Sequence, residues 1–210
     1  LPTAQDGLIP PSSPSMAYLD TLASRVEALL LASQGRAFVL CTSYRVMREL
    51  ADRVAPRLRW QTFVQGDLPP AELLRQFRAD VSSVLFATRS FWEGVDCSGE
   101  TLSLVIIDRI PFASPDDPLW KARCEAITQA GGSWFSELAL PEAALTLKQG
   151  VGRLVRSKQD TGVVALLDAR MVAKGYGAWL IRSLPPMTRT QDLEAVRVFF
   201  AQHGAADLSH

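Results

Sequence analysis

Ala37-Phe38-Val39-Leu40-Cys41-Thr42-Ser43-Tyr44 is an unbroken apolar run that ends in two hydroxyl residues before a helix-period stretch begins. Residues 37–41 show no alternation of apolar and polar positions, so a strand here is covered on both faces. That is the mark of a parallel sheet sandwiched between helices. The stretch 44–54 reads as the helix that follows the strand. The same rhythm repeats along the chain. Residues 83–87, 104–107 and 163–167 predict further strands, and 60–64 a weaker one. Residues 16–34, 70–77, 118–128, 141–156 and 176–184 predict helices. The first of these carries Leu19, Leu22, Val26, Leu29 and Leu30 at helical spacing and stops at Gly35. Gly131-Gly132 breaks the chain between two helices, and Pro185-Pro186 ends the last. The expected fold class is α/β, three layers with a parallel sheet flanked by helices.

Residues 1–15 hold four prolines and read as a linker or an extended arm; residues 16–186 read as one domain. Residues 187–210 are expected to add a short amphipathic helix and tail. There Leu193, Val196, Phe199 and Phe200 line one side, with Arg189 and Thr190 near the helix start. Two readings stand for that side: it docks on its own domain, or it is a ledge offered to a partner protein. The chain opens on Leu1 rather than Met, as expected of a piece of a longer protein.

Lys plus Arg and Asp plus Glu both number 22 in 210 residues, so net charge makes no case for nucleic acid or membrane. A basic site must be local. Residues 148–158 supply one, with Lys148, Arg153, Arg156 and Lys158 against no acid. Cys41, Cys97 and Cys124 are too far apart for a metal clip, and their odd number argues against a disulfide framework, so a reducing compartment is expected. No apolar run approaches the length of a membrane span, and no signal peptide is visible.

The chemistry concentrates in Gln149-Gly150-Val151-Gly152-Arg153-Leu154-Val155-Arg156. At helical pitch Gln149, Arg153 and Arg156 fall on one face. The two guanidiniums are either phosphate ligands, since Arg binds phosphate through planar forks, or solvated surface charges. In open α/β sheets ligands bind outside the carboxyl ends of the strands. Three polar clusters follow predicted strands: Thr42-Ser43-Tyr44, the run Thr88-Arg89-Ser90-Phe91-Trp92-Glu93-Gly94-Val95-Asp96, and Asp168-Ala169-Arg170. They and the arginine helix are expected to share one edge of the sheet. Blander roles remain open for several of them. Trp92 and Tyr44 can be core aromatics, and Glu93 or Asp96 can cap a neighbouring backbone. Asp116-Asp117 is expected to cap a helix at Pro118 rather than to hold metal, and His203 and His210 to be solvated.

Taken in order, T-S-Y after a strand, S-F-W-E-G-V-D, Q-G-V-G-R-L-V-R and a strand ending D-x-R resemble the second motor domain of the XPD/DinG helicases of superfamily 2. The run Val105-Ile106-Ile107-Asp108-Arg109-Ile110-Pro111-Phe112-Ala113-Ser114-Pro115-Asp116-Asp117-Pro118 draws the resemblance toward their bacterial YoaA-like branch. It implies a RecA-like domain forming one wall of an interdomain ATP site, in an enzyme acting in DNA repair or replication. Arg153 and Arg156 would then reach the γ-phosphate, with Gln149 and Gly152 beside them and Gln149 coupling nucleotide to closure. Glu93, Gly94 and Asp96 would lie between nucleotide and DNA, Asp96 holding an arginine in bidentate geometry. Thr42, Ser43, Tyr44, Thr88, Ser90 and Trp92 would form the track for single-stranded or forked DNA. Asp168 and Arg170 would serve structure or coupling.

The resemblance also implies ATP with Mg2+, a first motor domain as partner, and a 4Fe–4S cluster in the N-terminal part, none of it held by this chain. It implies a cytoplasmic, nucleoid-associated protein without a membrane. The chain has no phosphate-cradling G-x-x-x-x-G-K-[ST] loop and no acidic magnesium box, so alone it is expected to hydrolyse no ATP. The alternative is a protein-docking module that presents Arg189, Thr190, Leu193, Val196, Phe199 and Phe200 to a partner such as a clamp-loader chi subunit. A stand-alone transferase would need a Gly-rich turn after the first strand, and Gly35 precedes that strand instead.

Overall fold

The computed structural model describes residues 1, 8–11, 14–88, 91, 102–114, 116–152, 154 and 161–203. Five strands, β1 Ala37–Cys41, β2 Thr62–Val64, β3 Val84–Thr88, β4 Leu104–Ile107 and β5 Val163–Leu166, form one sheet in the order β2-β3-β1-β4-β5. All neighbouring pairs are parallel. The helices are α1 Met16–Ser33, α2 Tyr44–Val54, α3 Pro70–Ala79, α4 Pro118–Gln129, α5 Leu140–Val151, α6 Arg170–Ala173, α7 Gly175–Ser183 and α8 Leu193–His203.

Successive strand residues face opposite sides of a sheet, so a strand without alternation must feed two cores. Phe38 and Leu40 of β1 pack with Leu73 and Phe77 of α3, Ala143 and Leu147 of α5, and Leu180 of α7. Ala37, Val39 and Cys41 face α1, α2 and α8 instead, against Leu22, Val26, Met47, Leu50 and Phe200. Phe38 stacks on Phe77 with ring centroids 4.9 Å apart, and Phe63 meets Phe77 edge-on at 6.4 Å. Leu8, ahead of α1, is fully buried, and its carbonyl accepts from Ala169 N at 3.0 Å.

Local chemistry sets the boundaries. Ser15 caps α1 by accepting from Tyr18 N, Ser43 caps α2 through Val46 N, and Asp117 caps α4 through Leu119 N and Trp120 N. The turn from α1 into β1 runs through three left-handed residues, Gln34, Gly35 and Arg36. A Cβ on Gly35 would lie 1.8 Å from the Ser82 carbonyl oxygen, so only glycine passes there. The buried Ser33 hydroxyl donates to the Gly35 carbonyl at 2.8 Å and holds the turn.

A π-helical turn at Phe135–Ala139 leads into α5. The helix expected over 141–156 ends at Val151, where Gly152 N closes on Lys148 O at 2.8 Å. Leu145, Lys148, Gln149 and Gly152 form the exposed side of α5, opposite the buried Ala143, Ala144, Leu147 and Val151. Among the described residues no helix is long and apolar enough to cross a membrane.

Candidate functional site

Five parallel strands deliver five chain exits to one rim, and a side chain caps three of them. Across the rim the polar residues run Gln65, Thr88, Thr42, Asp108 and Asp168, in the order of the strands they leave. Between β1 and β4 the ladder continues as far as Asp108 N donating to Leu40 O at 3.1 Å. The next rung of a parallel ladder would take Thr42 N to the Asp108 main-chain carbonyl. Instead Thr42 N donates to the Asp108 carboxylate, Oδ1, at 2.9 Å, and Thr42 Oγ1 lies 3.4 Å from Oδ2. The same substitution occurs between β2 and β3. Gln65 N donates to Phe86 O at 2.9 Å, after which Thr88 N and Thr88 Oγ1 both donate to Gln65 Oε1, at 2.7 and 2.9 Å. Asp168 accepts Ile110 N at 2.9 Å beyond β4.

Tyr44, the first residue of α2, is half exposed. Its hydroxyl receives Arg48 Nη2 at 2.9 Å and Nε at 3.2 Å. Arg48 in turn reaches Asp67 Oδ1 at 2.6 Å and the Gln65 carbonyl at 3.2 Å. Gly66, with φ +98°, lets the loop pass so close that a Cβ would meet the Tyr44 hydroxyl at 2.4 Å. The ring is thereby fixed with one side in solvent, a geometry suited to stacking on an aromatic base.

On the other flank Arg170 closes a fork on Asp168, with Nε 2.9 Å from Oδ1 and Nη2 2.6 Å from Oδ2, over the Phe112 ring at 5.7 Å. Asp108 and Asp168 are both buried. Burial pushes the Asp108 carboxyl up to about 6, against the opposing pull of Arg109 and of the Thr42 N–H. Burial likewise raises the Tyr18 phenol, whose hydroxyl has no hydrogen-bond partner among the described residues, and the Cys41 thiol. Cys41 is therefore a packing residue and not a nucleophile.

The C-terminal end of α5, with Gln149, Gly152 and Leu154, lies at the opposite end. Leu154, just after α5, packs where a Cβ on Gly162 would sit, beside the Ser103 carbonyl. Ser103 and Gly162 precede β4 and β5. A helix that connects two parallel strands runs antiparallel to them, so its C-terminus returns to the strand starts. The expectation that the arginine helix shares an edge with the three polar clusters is thus corrected. Gln149 is exposed on α5 and Gly152 ends it. Arg153, Arg156, Ser90, Trp92, Glu93, Gly94 and Asp96 lie outside the described residues, as do Arg89, Cys97, Lys158 and His210.

The C-terminal helix turns its apolar side inward. Phe200 is buried, and Leu193, Val196 and Phe199 pack against the α1–α2 core. Arg189 is exposed and Thr190 half-buried, in the extended segment ahead of α8. His203 is exposed, stacked on Phe199 at 4.5 Å.

Sequence reasoning assigned no role to Asp108, Gln65 or Arg48. A signal for Asp108 was present, because Val105-Ile106-Ile107-Asp108 ends a wholly apolar strand on a carboxylate. Arg48 stands four residues after Tyr44, the spacing at which helical side chains meet. Gln65 carries no such mark.

The helicase C-terminal domain model matches residues 26–187. This chain belongs to that family. It is 48% identical over 180 residues to the ATP-dependent DNA helicase YoaA of Escherichia coli (strain K12), covering 86% of this chain and 28% of the relative. It is 43% identical over 184 residues to the ATP-dependent helicase DinG of Mycobacterium tuberculosis (strain H37Rv), covering 88% and 28%. The chain therefore spans under a third of the length of these curated relatives. Among solved structures it resembles an XPD helicase with a TM-score of 0.65 at 20% identity, covering 89% of this chain and 33% of that one. It also resembles the C-terminal domain of the DEAD-box protein Dbp5, with a TM-score of 0.56 at 15% identity over 87% and 91%. These two likenesses establish the RecA-like helicase fold.

Proposed function

We propose that this chain is the second motor domain of an ATP-dependent DNA helicase of the XPD/DinG type, acting in repair or replication. The observation that carries the reading is family membership over residues 26–187 on a sheet whose rim sets Thr42 and Thr88 side by side, since Cys41 pairs with Thr88. That rim, with the braced ring of Tyr44, forms the track for one DNA strand. Hydroxyls and main chain meet phosphates there, and the ring meets a base. ATP binds between this domain and a first motor domain that supplies the phosphate loop.

Arg153 and Arg156 reach the transferring phosphate on closure, where a guanidinium neutralises charge developing on the equatorial oxygens. Gln149 and Gly152, on the open side of α5, stand at the same contact. Glu93, Gly94 and Asp96 connect the nucleotide to the track. The Asp168–Arg170 fork acts as a brace, since Ile110 N hangs from the same carboxylate. Among the described residues no group of three or more His, Cys, Asp or Glu side chains is placed to hold a metal ion.

The test is ATP hydrolysis by the full-length helicase with and without single-stranded DNA. Wild type is expected to be DNA-stimulated, and Arg153→Ala or Arg156→Ala to lose about a thousandfold in rate, with the fold intact by thermal melt. A wild-type protein that hydrolyses no ATP, or variants that hydrolyse it normally, would overturn the motor reading.

A further inference from the structure

We propose that Asp108 is a positioning residue for the DNA track, holding the Thr42–Tyr44 segment to the end of β4. The inference rests on the reading of Thr42 and Tyr44 as track residues and adds to it the group that sets their place. Asp108 is 0% exposed, at the end of a strand, Leu104–Ile107, whose four residues are apolar and buried. A buried carboxylate there weakens the fold unless it meets some other need. Oδ1 accepts Thr42 N at 2.9 Å, and Oδ2 lies 3.4 Å from both Thr42 Oγ1 and Arg109 Nε. Thr42 N is the donor just ahead of the Ser43 cap, so this bond ties the entry to α2, and with it Tyr44, to the end of β4.

The carboxylate also governs the Thr42 hydroxyl. An ionised carboxylate only accepts, so it draws the hydroxyl hydrogen inward and leaves lone pairs facing a phosphate that is itself an acceptor. When neutral, the carboxyl donates to Thr42 Oγ1 while its other oxygen keeps Thr42 N. The hydroxyl hydrogen is then free to turn outward to a phosphate. An asparagine reproduces the neutral arrangement, with the amide as donor. The groups that face Asp108 are Arg109 in the same loop, Cys41 and Thr42 from β1 and its exit, and Tyr18 from α1. The Asp168–Arg170 pair acts on the same Tyr18 from the β5 side. Asp108 has its titration lifted by burial to about 6, so the two hydroxyl orientations exchange within the range where DNA binding can be followed.

The experiment is the single-stranded DNA concentration that half-saturates ATPase stimulation of the full-length helicase, from pH 5.5 to 8. Asp108→Ala, which removes both acceptors, is expected to raise it about tenfold, equal to about 1.4 kcal/mol, while the rate at saturating DNA stays within about twofold of wild type. At pH 7.5 Asp108→Asn is expected to half-saturate at a lower concentration than wild type. Its ratio to wild type is expected to close toward one below pH 6.

An Asp108→Asn protein that follows the wild-type pH profile throughout would overturn the inference, as would an Asp108→Ala protein that loses rate but not DNA affinity. Thr42→Ala and Tyr44→Ala separate this failure from failure of the underlying reading. If they weaken DNA and the Asp108 variants do not, only the positioning role falls. If neither changes half-saturation, the track itself falls, and the positioning role with it.

Discussion

The two ends of this sheet are built on opposite plans. At the strand-end rim the polar side chains of Thr42, Thr88, Asp108 and Asp168 are engaged with neighbouring loops, and even the exposed Tyr44 ring is braced from behind by Arg48. At the strand-start end α5 stops with Leu145, Lys148, Gln149 and Gly152 in solvent. A surface that grips a flexible polymer gains from being rigid beforehand, because ordering it at each step would cost affinity. A surface completed by another domain can leave its groups open until closure brings their partners. On the proposed function, the rim would set DNA affinity, and the α5 end the chemical rate.

The largest effects test that division directly. Arg153→Ala and Arg156→Ala are expected to lower the DNA-saturated ATPase rate about a thousandfold while leaving half-saturating DNA within about threefold. Tyr44→Ala is expected to do the reverse, raising half-saturating DNA about tenfold with the saturated rate retained, as the loss of one stacked base implies. A Tyr44→Ala protein with a collapsed rate at saturating DNA would dissolve the distinction between the two ends.

A second test asks whether the strand-start end, open at α5, is soft throughout. Gly35 sits at that end with φ +79° and a carbonyl 1.8 Å from where its Cβ would be. Gly35→Ala is expected to destabilise the domain by about 3 to 4 kcal/mol in denaturant unfolding, combining left-handed strain with a backbone clash. A loss below about 1 kcal/mol would show that this turn yields as readily as the helix end beside it.

Much of this architecture was legible in the residues, and the reason differs by feature. The strands at 37–41 and 104–107 read clearly because burial on both faces removes alternation. The helix starts at Tyr44 and Pro118 read clearly because Ser43 and Asp117 are strong caps. The end of α5 at Val151 did not, since Gln149 to Arg156 keeps a helical period that Gly152 interrupts. The edge on which the arginine helix ends was misplaced because motif order along the chain says nothing of strand direction; the antiparallel return of a connecting helix decides it. Thr42 and Thr88 were picked out by their place after strands. Their acceptors were not, because Gln65 and Asp108 lie 23 and 66 residues away in sequence.

Asp108 also marks the rim as the end where stability and placement pull apart. Its folded titration is raised above the unfolded value, so the native state holds the extra proton. The contribution of Asp108 to stability is therefore greatest below about pH 4, falls as pH rises toward about 6, and stays lower above it. Asp108→Asn carries no such penalty. It is expected to be more stable than wild type by about 2 kcal/mol at pH 7.5, after allowing for an Arg109 left without its ion pair, with the gap closing by about pH 4. Thermal melts across that range decide it. A variant less stable than wild type at pH 7.5 would mean that the ion pair supports the fold, and that rim and core are not in conflict.

The smallest effect sharpens what braces the rim. Arg48 forks between the Tyr44 hydroxyl and Asp67, and lies over the Tyr44 ring at 5.3 Å. Arg48→Ala is expected to raise half-saturating DNA only about threefold, roughly 0.7 kcal/mol, by letting the ring move. Arg48→Lys should fare no better, because an ammonium cannot reproduce the planar fork to two partners. Arg48 is itself a cation near the strand, so a weakened complex alone does not show how it acts. Salt separates the two routes. A direct phosphate contact would lower the slope of log affinity against log salt by about one when Arg48 is removed, whereas a residue acting through Tyr44 leaves that slope unchanged. An unchanged slope makes Arg48 part of the scaffold, and a shallower one moves it onto the DNA-contacting face.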